Sequence, residues 1–99
     1  MTQGMHLGLT FRAPVDVHTR RFGSELIILE LSVGEYFSLD ELGARIWEEL
    51  AQGRSLGDVV EKLAPEYDVV VDRFQDDVCA LTAELVRRGL LVEQTGPKV

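Results

Sequence analysis

Cysteine, histidine and long apolar runs are scarce in this chain of 99 residues. The single cysteine, Cys79, excludes an internal disulfide and a cysteine-rich metal site. The two histidines, His6 and His18, have no further ligands at a spacing typical of zinc. No run approaches the roughly 18 apolar residues that span a bilayer, and the first residues lack the features of a secretory signal. The sequence therefore predicts a cytoplasmic protein without a metal, a cofactor or a membrane partner.

Basic residues are also few. Ten Lys and Arg stand against 17 Asp and Glu, which leaves a net charge of −7. Because phosphate backbones are bound largely by Lys and Arg, an acidic domain is a poor candidate for nucleic-acid binding. Residues 72–86, the predicted third helix, contain Arg73 as their only cation. We therefore predict no nucleic-acid partner, and a DNA-binding winged helix is kept as the weaker alternative.

No residue pattern indicates catalysis. Cys79 lies beside Asp76 and Asp77, whose negative charges disfavour the thiolate that a nucleophile requires. Adjacent carboxylates occur at Glu48-Glu49 and Asp76-Asp77, but neighbouring side chains on a helix point about 100° apart, so neither pair converges on one atom. The nine glycines are scattered and form no phosphate-binding loop. The sequence predicts a binding protein and not an enzyme.

The apolar pattern changes from a period of 2 to a period of 3.6 near residue 40, which predicts an α+β fold. We expect a three-stranded antiparallel β-meander followed by three helices that resemble those of a winged helix-turn-helix. The aliphatic run Leu26–Leu29 is typical of a strand covered on both faces. The predicted strands are Val15–Thr19, Leu26–Leu29 and Glu35–Leu39, with a turn at Arg20–Ser24. The predicted organisation is a flexible lead-in (1–14), one domain (15–92) and a flexible tail (93–99).

Polar residues at the expected helix starts predict the caps. Ser38 and Asp40 are alternative N-caps of the first helix, and the sequence does not choose between them. Ser55, with Asp58 three residues later, opens the second helix, and Asp72 is expected to cap the third.

Apolar stripes and breakers complete the helix predictions. Gly53 should end the first helix, the second should end before Pro65, and Gly89 should end the third. The core-facing stripe of the first helix is Leu42, Ile46, Trp47 and Leu50, and that of the third is Phe74, Val78, Leu81 and Leu85. Residues 90–92 should then return to the core as a short extended segment.

The third predicted strand is a candidate peptide-binding edge. An edge strand exposes unpaired N–H and C=O groups, to which an extended peptide can add as a further strand. The third helix would form the opposite wall, with Leu81 at the floor and a polar flank of Asp77, Glu84 and Arg88, whose carboxylates suit a Lys- or Arg-bearing peptide. The sequence does not decide which flank of this helix lines the cleft. One of Tyr36 and Phe37 should face the core and the other the peptide. The candidate peptide-binding residues are Glu35, Tyr36, Phe37, Ser38, Leu39, Asp77, Leu81 and Glu84.

These residues also belong to a set that resembles a known family. The set comprises Gly34-Glu35-Tyr36-Phe37-Ser38-Leu39-Asp40, Ala44-Arg45-Ile46-Trp47-Glu48-Glu49-Leu50, Gly53-Arg54-Ser55, Val59, Leu63, Tyr67-Asp68, Asp77-Val78, Leu81, Leu85 and Gly89-Leu90-Leu91. In this order it resembles the PqqD-like domain, or RiPP precursor peptide recognition element, across residues 15–92. The third strand and the Ile46-Trp47 pair are most similar to stand-alone members from lasso-peptide pathways.

The resemblance implies a function. It implies a non-catalytic monomer that binds the leader segment of a precursor peptide between the third strand and the third helix. Such a protein presents the leader to a separate leader peptidase, with a macrolactam cyclase acting afterwards, and apolar pockets for a Tyr-x-x-Pro element are expected. The alternative within the family is a peptide chaperone for a radical enzyme of pyrroloquinoline quinone biosynthesis, and a structural subunit without a peptide ligand is a further one. This chain departs from the family pattern at Asp40, commonly Asn, and at Thr82, commonly larger and apolar.

Overall fold

The computed structural model describes residues 6–94, which form two small sheets and three helices. The strands are β1 Thr10–Arg12, β2 Val17–Phe22, β3 Glu25–Glu30, β4 Glu35–Leu39 and β5 Val92–Gln94, and the helices are α1 Glu41–Ala51, α2 Leu56–Tyr67 and α3 Val71–Arg87. Strands β2, β3 and β4 form an antiparallel meander in that order, and β1 pairs with β5 in a separate sheet. The predicted α+β fold, a meander followed by three helices, is confirmed. The second sheet was not predicted.

The second sheet joins the two ends of the described chain. Strand β1 pairs antiparallel with β5, and Phe11 at its centre is 1% exposed. The prediction of a loose lead-in over residues 1–14 is therefore wrong for β1, and that of a loose tail over 93–99 is wrong for its first two residues. A strand of three residues is too short to show a period of 2, which is why the sequence did not reveal it. Residues 1–5 and 95–99 lie outside the described part.

The segment before β1 is tied to α2. The N–H of Gly57 donates to the carbonyl of Leu7 at 2.8 Å, and the N–H of Leu56 donates to the carbonyl of Leu9 at 3.1 Å. These N–H groups belong to the first turn of α2, where they have no partner within the helix. Residues 7–9 thus lie across the start of α2.

The first hairpin is longer than predicted. Strand β2 continues to Phe22, which pairs with Glu25, and only Gly23 and Ser24 remain for the turn. Gly23 has a φ of +63°, which suits a glycine in a two-residue hairpin turn. The predicted turn at Arg20–Ser24 is wrong because pairing with β3 holds its first three residues in the strand.

Only one face of the meander is covered among the described residues. Leu26 and Ile28 of β3 are buried against α1, and their cross-strand partners on β4, Leu39 and Phe37, point to the same inner face. Ile27 and Leu29 point to the outer face and are half-buried. The prediction that Leu26–Leu29 is covered on both faces is wrong.

The first two helix caps are formed by side chains. The Asp40 carboxylate accepts a hydrogen bond from the N–H of Gly43 at 2.9 Å, which decides between the two candidate caps of α1. The Ser55 hydroxyl accepts from the N–H of Asp58 at 3.1 Å, as predicted. Helix α3 instead begins at Val71 after Val70, which provides no side-chain cap bond, so the predicted cap at Asp72 is wrong.

The helix ends predicted from glycines are confirmed, and the one predicted from a proline is wrong. Gly53 and Gly89 have φ values of +95° and +76° just after α1 and α3, as predicted. Helix α2 includes Pro65 and continues to Tyr67, so the predicted end before Pro65 is wrong. Asp68, with a φ of 53°, terminates it in the left-handed conformation.

The stripe predicted for α3 is only partly the observed one. Phe74, Val78 and Leu85 are at most 2% exposed, whereas Leu81 is half-buried at the edge of the core. Thr82 is fully buried, and its hydroxyl donates to the carbonyl of Val78 at 2.7 Å. This bond to its own helix satisfies the hydroxyl, so Thr82 is a core residue without an unpaired polar atom.

A buried carboxylate links α1 to the turn that follows it and to the middle of α2. Glu49 is 6% exposed and accepts from Arg54 Nε at 2.5 Å, and Lys62 Nζ lies 3.1 Å from its other oxygen. Burial acts most strongly, in the direction that raises the pKa of Glu49, but the hydrogen bonds and charges of Lys62 and Arg54 together outweigh it and lower the pKa.

The lowered pKa of Glu49 predicts a pH-dependent contribution to stability. Its ion pairs stabilise the fold above the carboxyl's unfolded-state pKa, roughly 4.3, and the contribution is lost as the pH falls through the lower folded-state value. Glu49→Gln should lower the free energy of unfolding by about 1 kcal/mol at pH 7, since both cations are half-exposed, and by less at pH 3. Urea unfolding across this range measures the difference. Glu25→Gln, an exposed control, should show no such trend, and an equal loss for Glu49→Gln at pH 3 and pH 7 would contradict the assignment.

Candidate functional site

Strand β4 is an edge of the meander. It pairs with β3 on one side, and no described strand pairs with its other side. About half of its N–H and C=O groups therefore point away from β3, where an added strand would meet them. Strand β2 is the opposite edge, but β4 is the edge that lies beside α3: the guanidinium carbon of Arg88 is 4.9 Å from the centre of the Phe37 ring. The candidate site is this cleft between β4 and the C-terminal half of α3.

The two aromatic residues of β4 face opposite ways. Phe37 is half-buried on the inner face, where it packs against the core and under Arg88. Tyr36 is 69% exposed on the outer face, opposite Leu29. The expectation that one of the pair faces the core is confirmed for Phe37, and a peptide contact by Tyr36 stays a prediction.

The cleft is nearly closed beside the C-terminal end of α3. A hollow of about 10 Å³ lies between the start of β4 and the end of α3, which is enough for about one water molecule. Its lining residues are Glu30, Glu35, Tyr36, Phe37, Arg88 and Leu90. Arg88 occupies the space above Phe37, so a peptide side chain can reach the ring only if the guanidinium moves or stacks beside it.

The acidic flank of α3 differs from the prediction in its charge. Glu84 accepts from Arg88 Nε at 2.6 Å and also forms an ion pair with Arg87. The hydrogen bonds from Arg88 and Arg87 lower the pKa of Glu84. Because two cations already compensate this carboxylate, Glu84 offers little attraction to a Lys or Arg of a peptide. Asp77 lies two turns earlier on the same flank and forms no ion pair within residues 6–94.

The remaining candidates contribute in different ways. Leu39 is 5% exposed and belongs to the core, so only its backbone is available at the edge. Ser38 is exposed on the outer face, and Glu35 stands at the open start of the strand. Leu81 is half-buried on α3, on the side that also carries Arg88.

Arg88 was not among the predicted site residues, although its guanidinium lies over the Phe37 ring of β4. Its spacing of four residues from Glu84 and eleven from Asp77 places it on the same flank of α3, a signal already present in the sequence. Its contact with Phe37 was not predictable, because it depends on how the end of α3 packs on the sheet.

Cys79 lies on the other flank of α3, away from the cleft. Burial is the main cause of the raised pKa of its thiol, and the charge of Asp76 adds to it. From the sequence, only the charges of Asp76 and Asp77 were expected to disfavour the thiolate. Within residues 6–94, no three His, Cys, Asp or Glu side chains converge as metal ligands, and no helix is long and apolar enough to cross a membrane.

Comparisons with known proteins agree with this fold. The sequence profile described as "Coenzyme PQQ synthesis protein D (PqqD)" matches residues 25–91. The structure of "TbiB1 in Complex with the TbiA(beta) Leader Peptide" is 26% identical with a TM-score of 0.76, covering 88% of this chain and 99% of that one. The structure of "Lasso peptide synthetase B1 complexed with the leader peptide" is 28% identical with a TM-score of 0.77, covering 83% and 96%. No curated protein sequence matches the chain.

The fold and its open edge define a small α+β recognition domain of the winged-helix type. The profile match covers more than half of the chain, and the chain belongs to the PqqD family, that is, to the PqqD-like RiPP recognition elements. Both solved relatives are described as complexes with a leader peptide.

Proposed function

We propose that this protein is a non-catalytic recognition element that binds the leader segment of a ribosomally made precursor peptide of the lasso type. The leader adds as a strand to the free edge of β4, and α3 forms the second wall of the site. The protein then presents the bound leader to a separate leader peptidase in the cytoplasm, and a macrolactam cyclase acts on the released segment.

One observation carries the proposal: the unpaired edge of β4 faces α3 across a cleft whose floor contains Phe37. An added strand would gain main-chain hydrogen bonds from β4, which set register without selecting sequence. Its alternate side chains would point into the cleft, where Phe37, Leu81 and Arg88 provide apolar and cationic contacts. The two relatives described as leader complexes support this assignment because they match nearly the whole chain.

The charge of the cleft is mixed, which argues against selection of a leader by net charge. Glu35 and Asp77 are anionic, and Arg88 places a cation directly over Phe37. Selectivity should therefore come from apolar side chains of the leader, in line with the tyrosine and proline expected from the family resemblance.

A scan of N-methylated leader peptides tests strand addition directly. Only every second residue of an added strand donates its N–H to β4, so methylation at alternate positions should raise the dissociation constant. Loss of one hydrogen bond of about 1 kcal/mol corresponds to roughly a fivefold weaker complex. The leader of the precursor encoded beside this protein is the probe, and fluorescence anisotropy is the readout. Methylation outside the paired segment is the control. If the dissociation constant does not rise at every second methylated position, strand addition is excluded.

A second function is favoured by the family profile, whose description refers to coenzyme PQQ synthesis. In that case the protein would carry a precursor peptide to a radical enzyme and not to a peptidase. The two functions share the cleft and differ in the partner. Binding of the lasso-type leader but not of a pyrroloquinoline quinone precursor would decide for the first function, and the reverse result would decide for the second.

A further inference from the structure

A second cavity lies away from the cleft beside β4. A groove of about 540 Å³ lies between α2 and the first turns of α3, and Leu7 forms part of its lip. Val60 and Ala64 of α2 and Val71 of α3 supply its apolar lining, and Asp58 and Glu61 of α2 are its acidic lining residues. The proposed function makes no use of this groove.

The groove is bordered by exposed aliphatic side chains. Leu7 and Val71, which line the groove, are 39% and 53% exposed, and Val69 and Val70, which join α2 to α3, are 38% and 73% exposed. Exposed apolar side chains at and beside a groove are common at sites where a partner protein binds. Neither the core nor the β4 cleft explains why three successive valines are exposed here.

The charge around the groove restricts the partner. Asp58 and Glu61 form no ion pair within residues 6–94, whereas the neighbouring cation on α2, Lys62, is paired with Glu49. An apolar floor beside uncompensated carboxylates complements a segment that inserts an aliphatic or aromatic side chain between Lys or Arg residues.

The groove and the β4 cleft lie on opposite flanks of α3. Val71 and Gln75 project toward α2, while Arg88 projects toward β4. From Val71 to Arg88 the helix rises about 25 Å, so a leader bound along β4 leaves the groove open. One helix thus forms a wall of both sites, and the two can be occupied at the same time.

We infer that the α2–α3 groove is the docking site for a cationic, apolar-tipped segment of the leader peptidase, so that leader and enzyme bind on opposite sides of α3. This inference rests on the proposed function, because it assumes that the bound leader is processed by a separate enzyme. It assigns to that enzyme a surface distinct from the peptide edge. It also predicts that enzyme docking weakens as the salt concentration rises, since exposed carboxylates contribute to it.

The test separates enzyme docking from leader binding. In the full chain, the double variant Glu61→Lys/Val71→Ser changes two exposed groove residues and should preserve the fold. We expect kcat/KM for leader cleavage by the purified peptidase to fall about tenfold, which corresponds to roughly 1.4 kcal/mol. The dissociation constant of the leader alone should change less than twofold.

The matched control is Glu25→Lys/Val15→Ser, which makes the same two exchanges at exposed positions away from the groove. Its cleavage rate should equal that of the unaltered protein, and cleavage should depend less on salt for the groove variant than for this control. Unchanged cleavage by the groove variant would overturn the inference, as would an equal loss in leader affinity. If the unaltered protein binds no leader, the proposed function fails instead, which is a different result.

Two other occupants of the groove would also overturn the inference. A second copy of the chain would show as a dimer in light scattering that the groove variant abolishes. Residues 1–5 adjoin the lip in sequence, and their removal should leave peptidase binding within twofold. A markedly tighter enzyme complex after this removal would assign the groove to the chain's own N-terminal segment.

Discussion

Replacing Phe37 by aspartate is expected to weaken leader binding about 30-fold. The ring is half-buried beside α3, and loss of its remaining apolar contact with a bound peptide, together with the cost of covering a new carboxylate, should amount to about 2 kcal/mol, which is equivalent to this change in the dissociation constant. The aspartate would also add a negative charge to the inner face of β4, two residues from Glu35. Titration of a labelled leader, followed by fluorescence anisotropy, measures the effect.

Two further variants distinguish a binding effect from a folding defect. Ser38→Asp places the same charge on the same strand but on the outer face, and it should leave affinity within threefold. Phe37→Leu keeps an apolar floor and should recover most of the affinity. Equal weakening by the aspartates at positions 37 and 38 would show that charge on the strand, and not the cleft, governs binding.

Leu81→Asp should also weaken leader binding, since Leu81 lies on the facing flank of α3.

Replacing Phe11 by alanine should destabilise the protein more than any other single change considered above. Phe11 is 1% exposed, and removal of a buried phenylalanine costs about 3–5 kcal/mol. In a domain of this size, a loss of 3 kcal/mol lowers the midpoint of thermal unfolding by roughly 12 °C or more. Thermal denaturation followed by circular dichroism measures the shift.

The protein provides its own control for this loss. Phe22 is 64% exposed at the end of β2, so Phe22→Ala removes the same side chain from solvent and not from the core. Its midpoint should change by less than about 3 °C. Equal midpoints for the two variants would mean that β1 does not belong to the cooperative fold and would restore the loose lead-in that the sequence had suggested.

The fold was predictable where local patterns and tertiary packing agree. The meander, the three helices, the Ser55 cap and the glycine stops at Gly53 and Gly89 all have signals within a few residues. Two of the errors occur where a distant partner decides. Strand β1 exists because β5 pairs with it, and residues 20–22 stay extended because β3 pairs with them.

The candidate site was predictable to a similar extent. The edge position of β4 follows from the order of the strands, and the alternation of Tyr36 and Phe37 follows from the period of a strand. The compensation of Glu84 by Arg87 and Arg88 required only helix spacing and was available from the sequence. The placement of Arg88 over Phe37 and the α2–α3 groove required the packing angles of α3, which no local pattern contains.

The pairing of β1 with β5 has a consequence for synthesis on the ribosome. Thr10 lies opposite Gln94, so this small sheet is assembled from the first and last parts of the described chain. Contacts between residues so far apart in sequence form late, because the entropy of closing the intervening chain must first be overcome. The packing around Phe11 therefore stays incomplete until residue 94 has left the exit tunnel. The β3–β4 hairpin has all its residues available much earlier.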